Sequence, residues 1–286
     1  MKQYRPPASA HRVAQIRPRV AAALFQPART LSPFSANRMI RRALGSAKSA
    51  SPFARAFSAA IELREYSLKP SRAAAFQALA NASGPLRKQL APLRLFATTD
   101  AGGQLNTVFH FYYHTSLQSR ADAARGLREH AQWSALEGDA AQCCDKQSCN
   151  IYAEAPFVAE SYGGMATEHI AAADRCPAVY ELRRYRLVLG YDTVPRFMDC
   201  FSSGLSSKLL ASHEAGSRFC SLLYTEVGSL NEVVELWRHN GVSGMEQARV
   251  LSRQSQPWKK AVASIAPLAL SFSNTLLTPA PFSNWC

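Results

Sequence analysis

The chain has 286 residues, 33 of them Lys or Arg and 20 Asp or Glu, for a formal net charge of +13. That length allows one large domain or two of ordinary size. A charge of +13 spread over a folded surface would point to nucleic acid or an anionic membrane. Its distribution excludes that reading: eleven basic residues precede Phe57, no acidic residue precedes Glu62, and the rest holds 22 basic against 20 acidic side chains.

Residues 1–57 combine Arg, Ser and Ala without an acidic side chain. This is the composition of a mitochondrial transit peptide, and a disordered leader is expected. Val13, Ile16, Val20 and Leu24 would share one helical face beside Arg12, Arg17 and Arg19, although Pro18 interrupts the run. The apolar stretch from Val20 to Phe25 is far shorter than the ~20 residues of a membrane span, so no transmembrane segment is expected. Arg55-Ala56-Phe57 before Ser58-Ala59 resembles a matrix-protease site, predicting cleavage after Phe57 and a location in the mitochondrial matrix. Little aromatic interleaving accompanies the basic residues, so no nucleic-acid partner is expected.

In the body, residues 61–68 alternate and stop at Lys69-Pro70, which predicts a strand. The Ala-rich stretch 71–82 predicts a helix that Gly84-Pro85 breaks, with another helical turn at 86–90. Residues 93–98 and 106–113 predict a hairpin, 116–132 a helix ending near Trp133, and 151–158 a closing strand. Residues 138–174, with Cys143, Cys144, Cys149 and Gly163-Gly164, read as linker and flexible loop. The order then returns: a strand at 179–187, a helix at 193–213, hairpin strands at 218–226 and 231–238, a helix at 245–254 before Pro257-Trp258, and a last strand at 274–278. Each pass runs β-α-β-β-α-β, the ferredoxin-like order. Seven cysteines (143, 144, 149, 176, 200, 220 and 286) at irregular spacing predict free thiols and match no usual zinc pattern.

The two passes share residues as well as order. Ile61-Glu62-Leu63-Arg64-Glu65-Tyr66-Ser67-Leu68 returns as Tyr180-Glu181-Leu182-Arg183-Arg184-Tyr185-Arg186-Leu187. Asn106 to His114 parallels Asn231 to His239, and Arg125 and Trp133 find counterparts in Arg249 and Trp258. A repeat this long is a duplicated domain, not a solenoid unit. The expected division is a leader at 1–57, a first domain at 58–160, a linker at 161–178 and a second domain at 179–286.

Tyr180-Glu181-Leu182-Arg183-x-Tyr185-x-Leu187, then Val227-Gly228-x-Leu230-Asn231-x-Val233-x-x-Leu236-Trp237, then Arg249 and Trp258, resemble the NIPSNAP family, with Ile61 to Pro70 as a weaker first copy. The resemblance implies an α+β fold of two tandem ferredoxin-like domains of the dimeric α/β-barrel type, with antiparallel sheets. It also implies mitochondrial targeting and a role in organelle quality control, including recruitment of autophagy machinery (mitophagy), with a looser link to vesicle transport.

Residues two apart on a strand share a face, so Glu62, Arg64 and Tyr66 lie together, as do Glu181, Arg183 and Tyr185. Helices cover one face of a ferredoxin-like sheet, and these six side chains are expected on the other, lining the barrel interior. There they read either as a pocket offering a carboxylate, a guanidinium and a phenol to a small anionic ligand, or as ion pairs that fix sheet register. His110 and Tyr112, or their partners Glu235 and Trp237, would join one of the faces. His110 and His114 share a face where a metal or haem could bind, but no acidic third ligand is evident nearby, and neither a metal site nor a cofactor is predicted. No Gly-rich phosphate loop, nucleophile elbow or His-Glu-x-x-His motif occurs. The expectation is a non-catalytic binding or scaffold protein with protein partners, homo-oligomeric and able to associate peripherally with membranes; its sheet edges can close within one chain or with a partner's sheets, and the sequence does not decide between them. The alternative, by fold analogy alone, is a small-ligand protein or a cofactor-independent or haem-dependent oxygen enzyme using the barrel interior.

Overall fold

The computed structural model describes residues 59–170 and 178–285. The leader, its predicted cleavage site at Phe57-Ser58, Cys176 and Cys286 lie outside the described residues. The first half runs β1 (Ala60–Leu68), α1 (Ala73–Leu90), β2 (Leu93–Ala101), β3 (Thr107–His114), α2 (Leu117–Glu129), α3 (Ala131–Gln142) and β4 (Cys144–Glu154). After α4 (Pro156–Tyr162) the second half follows as β5 (Ala178–Leu187), α5 (Thr193–Glu214), β6 (Ser217–Val227), β7 (Glu232–Asn240), α6 (Gly241–Gln254), α7 (Gln256–Ile265) and β8 (Ala269–Pro279).

The strands close into one barrel in the order β1-β3-β2-β8-β5-β7-β6-β4, every pairing antiparallel. Within each half the strands keep the ferredoxin-like order, fourth-first-third-second, and the halves meet along β2–β8 and β4–β6. Closure therefore takes place within one chain. It uses every sheet edge, so pairing with a second copy is not needed to cover one.

Three local readings change. Helix α1 runs through Gly84-Pro85 without a break. A Cβ on Gly84 would sit 2.5 Å from the Phe282 ring, and this close packing of the C-terminal segment holds the helix across its proline. The expected single helix at 116–132 is instead two. His130 takes an extended conformation, and its Nδ1 accepts from the Trp133 N–H at 3.2 Å, ending α2 and capping α3. The cysteine-bearing stretch read as loop is β4, which pairs with β1 from Ile61–Tyr152 to Leu68–Cys144. Backbone pairing forms this strand although Asp145, Lys146 and Gln147 are exposed and polar.

Two kinds of core result. Leu63, Leu95, Phe111, Tyr152, Leu182, Leu223, Leu236 and Leu277, one from each strand, belong to a single cluster that fills the barrel, joined by Met165, Ile170 and Trp285. Separate cores lie between the sheets and the helices of each half. Tyr66 and Tyr185 belong to these outer cores. The faces carrying Glu62, Arg64 and Tyr66, and Glu181, Arg183 and Tyr185, therefore lie beneath the helices and not in the barrel interior as expected. Strand alternation decides this: the opposite faces carry Ile61 and Leu63 or Tyr180 and Leu182, whose rows pack together at the barrel centre around a few paired polar groups.

Candidate functional site

The two halves present the same Glu and Arg of β1 and β5 at the same register, opposite different partners. Glu62 stands opposite Tyr112 and Arg64 opposite His110. Glu181 stands opposite Trp237 and Arg183 opposite Glu235. The buried faces of the long helices also correspond in spacing: Phe76, Ala80, Ser83 and Arg87 of α1 match Phe197, Phe201, Gly204 and Lys208 of α5.

A carboxylate buried as deeply as these is tolerable only when paired. In the second half Glu181 accepts from Arg249 at 2.6 Å, Asn274 at 2.8 Å and Arg183 at 2.9 Å, with His239 Nε2 at 3.1 Å. Burial pushes its carboxyl up, but His239, Arg183 and Arg249 together outweigh that and hold it well below the usual carboxylate range. Glu62 is treated alike in the first half: it accepts from Arg64 and, at 2.7 Å, from Arg120, with His114 Nε2 at 3.5 Å. Against the effect of burial, these three groups hold it equally low. Arg120, and not Arg125, plays the part of Arg249; Arg125 is exposed and pairs with Asp122 on its own helix.

The halves part company one step along the sheet. Glu235 is fully buried and accepts from Lys208, from Tyr185 Oη at 2.7 Å and from Trp237 Nε1, with Arg183 at 3.7 Å. Lys208 lies over the rings of Trp258 and Trp237, 4.1 and 4.6 Å from their centres. Phe201 packs edge-on against Trp258 at 5.4 Å. Burial pushes the Lys208 ammonium down, and Glu235 works against that.

In the first half His110 replaces the carboxylate and Ala80 replaces the ring of Phe201. His110 is fully buried, 4.2 Å from the Phe96 ring and 4.6 Å from that of Tyr66, and neither ring nitrogen has a hydrogen-bond partner. Burial first, then Arg87 and Arg64, hold its pKa well below the ordinary histidine value, so the imidazole is neutral. Arg87 donates to Tyr112 Oη at 2.7 Å and lies 4.8 Å from the centre of the Trp133 ring, but its Nε is unpartnered. Between α1, α3 and the sheet there remains a cavity of about 290 Å³ lined by Arg64, Tyr66, Ala80, Arg87, Trp133 and Leu136 among others. Glu137 stands at its margin, 3.6 Å from Arg64 and partly exposed.

The six residues singled out in the sequence thus form two separate clusters. Arg64 and Tyr66 line the first-half cavity, while Glu62 is held behind Arg64; Glu181, Arg183 and Tyr185 are engaged by the second half's own side chains. Sequence reasoning missed Arg87 and Lys208, whose signal was a cation in step with the apolar face of a helix. His110 and His114 do not come together as metal ligands: His110 is enclosed by rings and His114 faces Glu62, and no group of three metal-ligating side chains occurs among the described residues.

The barrel interior holds a different polar set. Glu65 and Arg184 occupy matched positions in the two copies, 119 residues apart, and they meet across the barrel at 2.5 Å. Arg184 Nε lies 3.2 Å from Glu232, which accepts from Tyr152 Oη at 2.7 Å. Glu154 accepts from Ser221 and from the Met165 N–H at 2.8 Å, and burial pushes its carboxyl up to about 7.

Residues 61–159 and 180–284 match the family model described as NIPSNAP, one segment in each half. The chain belongs to the NIPSNAP family. It is 25% identical over 226 residues to human Protein NipSnap homolog 3B, covering 78% of this chain and 84% of that one. To human Protein NipSnap homolog 3A it is 24% identical over the same shares. A solved structure of an anthrone oxidase-like protein superimposes with a TM-score of 0.52 at 10% identity, covering 81% of this NIPSNAP chain and 94% of the other; at that identity the likeness concerns the fold alone. No helix among the described residues is long and apolar enough to cross a membrane.

Proposed function

We propose that this chain is a mitochondrial NIPSNAP protein that acts by binding and assembly, without catalysis, in organelle quality control. In that role it recruits autophagy machinery or serves a vesicle-transport-related process through protein partners. The observation that carries the non-catalytic part is the state of the three carboxylates buried beneath the helices, Glu62, Glu181 and Glu235. Glu62 and Glu181 are each held by an arginine of their own strand, a second arginine from a helix and a histidine. Glu235 is saturated by Lys208, Tyr185 and Trp237. General acid–base work needs a group poised near the operating pH, and none of these three is. Apolar side chains from all eight strands pack into the barrel interior, and a cavity for a small ligand lies instead beneath α1.

The acid-free leader and family membership support the mitochondrial part. Because the barrel closes within one chain, this reading has further copies and other partners dock on the outer, helix-bearing surface, and membrane association is peripheral. Import of the full-length chain into isolated, energised mitochondria tests it. The expected product is a protease-protected species whose N-terminus is Ser58, formed only while the membrane potential is intact. A chain that stays outside and unprocessed would refute the mitochondrial assignment, and an N-terminus far from Ser58 would refute the cleavage site.

A further inference from the structure

We propose that the cavity between α1, α3 and the first-half sheet binds a small aromatic monocarboxylate, clamped by Arg64 and Arg87. The second half serves as its template. There the matching space is filled by two of the protein's own groups, the carboxylate of Glu235 and the ring of Phe201. Both contact Lys208, whose ammonium lies 5.6 Å from the Phe201 ring centre. The first half has His110 and Ala80 in those places, so it lacks one carboxylate and one ring, and a cavity of about 290 Å³ opens over Ala80, with Arg64, Tyr66 and Arg87 in its wall.

The groups that would receive a ligand carboxylate are already positioned. Arg87 is only 8% exposed and has an unpartnered Nε, and the neighbouring Trp133 Nε1 is unpartnered as well. Tyr66 matches Tyr185, whose hydroxyl donates to Glu235 in the second half. His110 cannot substitute for that carboxylate, because a neutral imidazole balances no charge: Arg64 is paired with Glu62, and Arg87 has no carboxylate partner among the described residues. Glu137 offers Arg64 partial compensation from the margin, yet it reaches Arg64 at 3.6 Å and no pairing of it with Arg87 is seen. The ring of a ligand would lie between Ala80, Leu136 and Trp133, as Phe201 lies against Trp258. A bidentate arginine contact gives the carboxylate both its strength and its orientation. The volume sits at the small end of ligand cavities and suits a single ring with a short acidic arm.

The inference rests on the reading that this protein binds without transforming what it binds. The test is calorimetric titration of the full-length chain with 3-phenylpropanoate, with 3-phenylpropanol as the probe that lacks the charge. One equivalent per chain is expected to bind, at least tenfold more tightly than the alcohol. Ala80→Phe and His110→Glu each reinstate the second half's own group, and each is expected to weaken binding at least tenfold while the unfolding temperature stays level or rises. If the buried charge of His110→Glu prevents folding, Ala80→Phe decides alone. No binding of 3-phenylpropanoate at millimolar concentration, equal binding of the alcohol, or undiminished binding by folded Ala80→Phe would overturn the proposal. Chemical conversion of bound 3-phenylpropanoate would keep the site and overturn the non-catalytic reading, and failed mitochondrial import would leave the site untouched.

Discussion

Glu154 is buried against Ser221 and the Met165 N–H, and no cation pairs with it among the described residues. Its carboxyl keeps its proton in the fold up to about pH 7, whereas the unfolded chain releases it near 4.5. Between those values the folded state holds the extra proton, so stability falls as pH rises through the window. Glu62 and Glu181 act in the opposite sense: held low in the fold, they stabilise it above 4.5 and lose that contribution as pH falls below it. Glu154→Gln retains an oxygen that can accept both hydrogen bonds and removes the titration. Denaturant unfolding at pH 5 and pH 8 is expected to show the wild type losing up to about 3 kcal/mol relative to the variant. Parallel slopes for the two proteins would show that Glu154 does not titrate in this range.

At the level of elements, two helical glycines do opposite things. A Cβ on Gly204 of α5 would come within 2.6 Å of the Ala261 Cβ on α7 and 3.0 Å of the Trp258 ring, so the helices depend on its absence. Around Gly138 of α3 there is nothing within 4 Å. Gly138→Ala is expected to stabilise by about 0.5–1 kcal/mol through helix propensity. Gly204→Ala is expected to destabilise by about 1–3 kcal/mol in spite of the same propensity gain, because overpacking outweighs it. Thermal unfolding of the two variants checks the contrast, and a stabilised Gly204→Ala would refute the close approach. Sequence periodicity reads such elements well where a side chain announces itself. Residues 61–68 are legible as a strand because Ile61 and Leu63 alternate with polar neighbours, and 193–213 as a helix because Phe197, Phe201 and Leu205 recur in step. It fails where backbone pairing or distant packing decides: β4 is held by its ladder with β1, and α1 crosses Pro85 under Phe282. The same limit applies to the site. Alternation puts Glu62, Arg64 and Tyr66 on one face, but whether that face meets helices or the barrel centre depends on how eight strands close. Arg87 and Ala80, which give the cavity its character, stand out only beside Lys208 and Phe201.

For the whole molecule, the Glu65–Arg184 bridge joins strands on opposite sides of the ring of eight. Arg184→Glu would set a third carboxylate beside Glu65 and Glu232, at an expected cost of about 3 kcal/mol from the lost partner and the new repulsion. Adding Glu65→Arg is expected to return part of that loss in a double-mutant cycle, and strictly additive effects would mean that the two side chains do not interact. The bridge also bears on ancestry. In a barrel made from two identical halves, this position would face its own likeness, and like charges would confront each other. Here one half carries the acid and the other the base. Each half thus fits its sibling better than it would fit a twin: the two copies form a matched couple in which neither could stand in for the other.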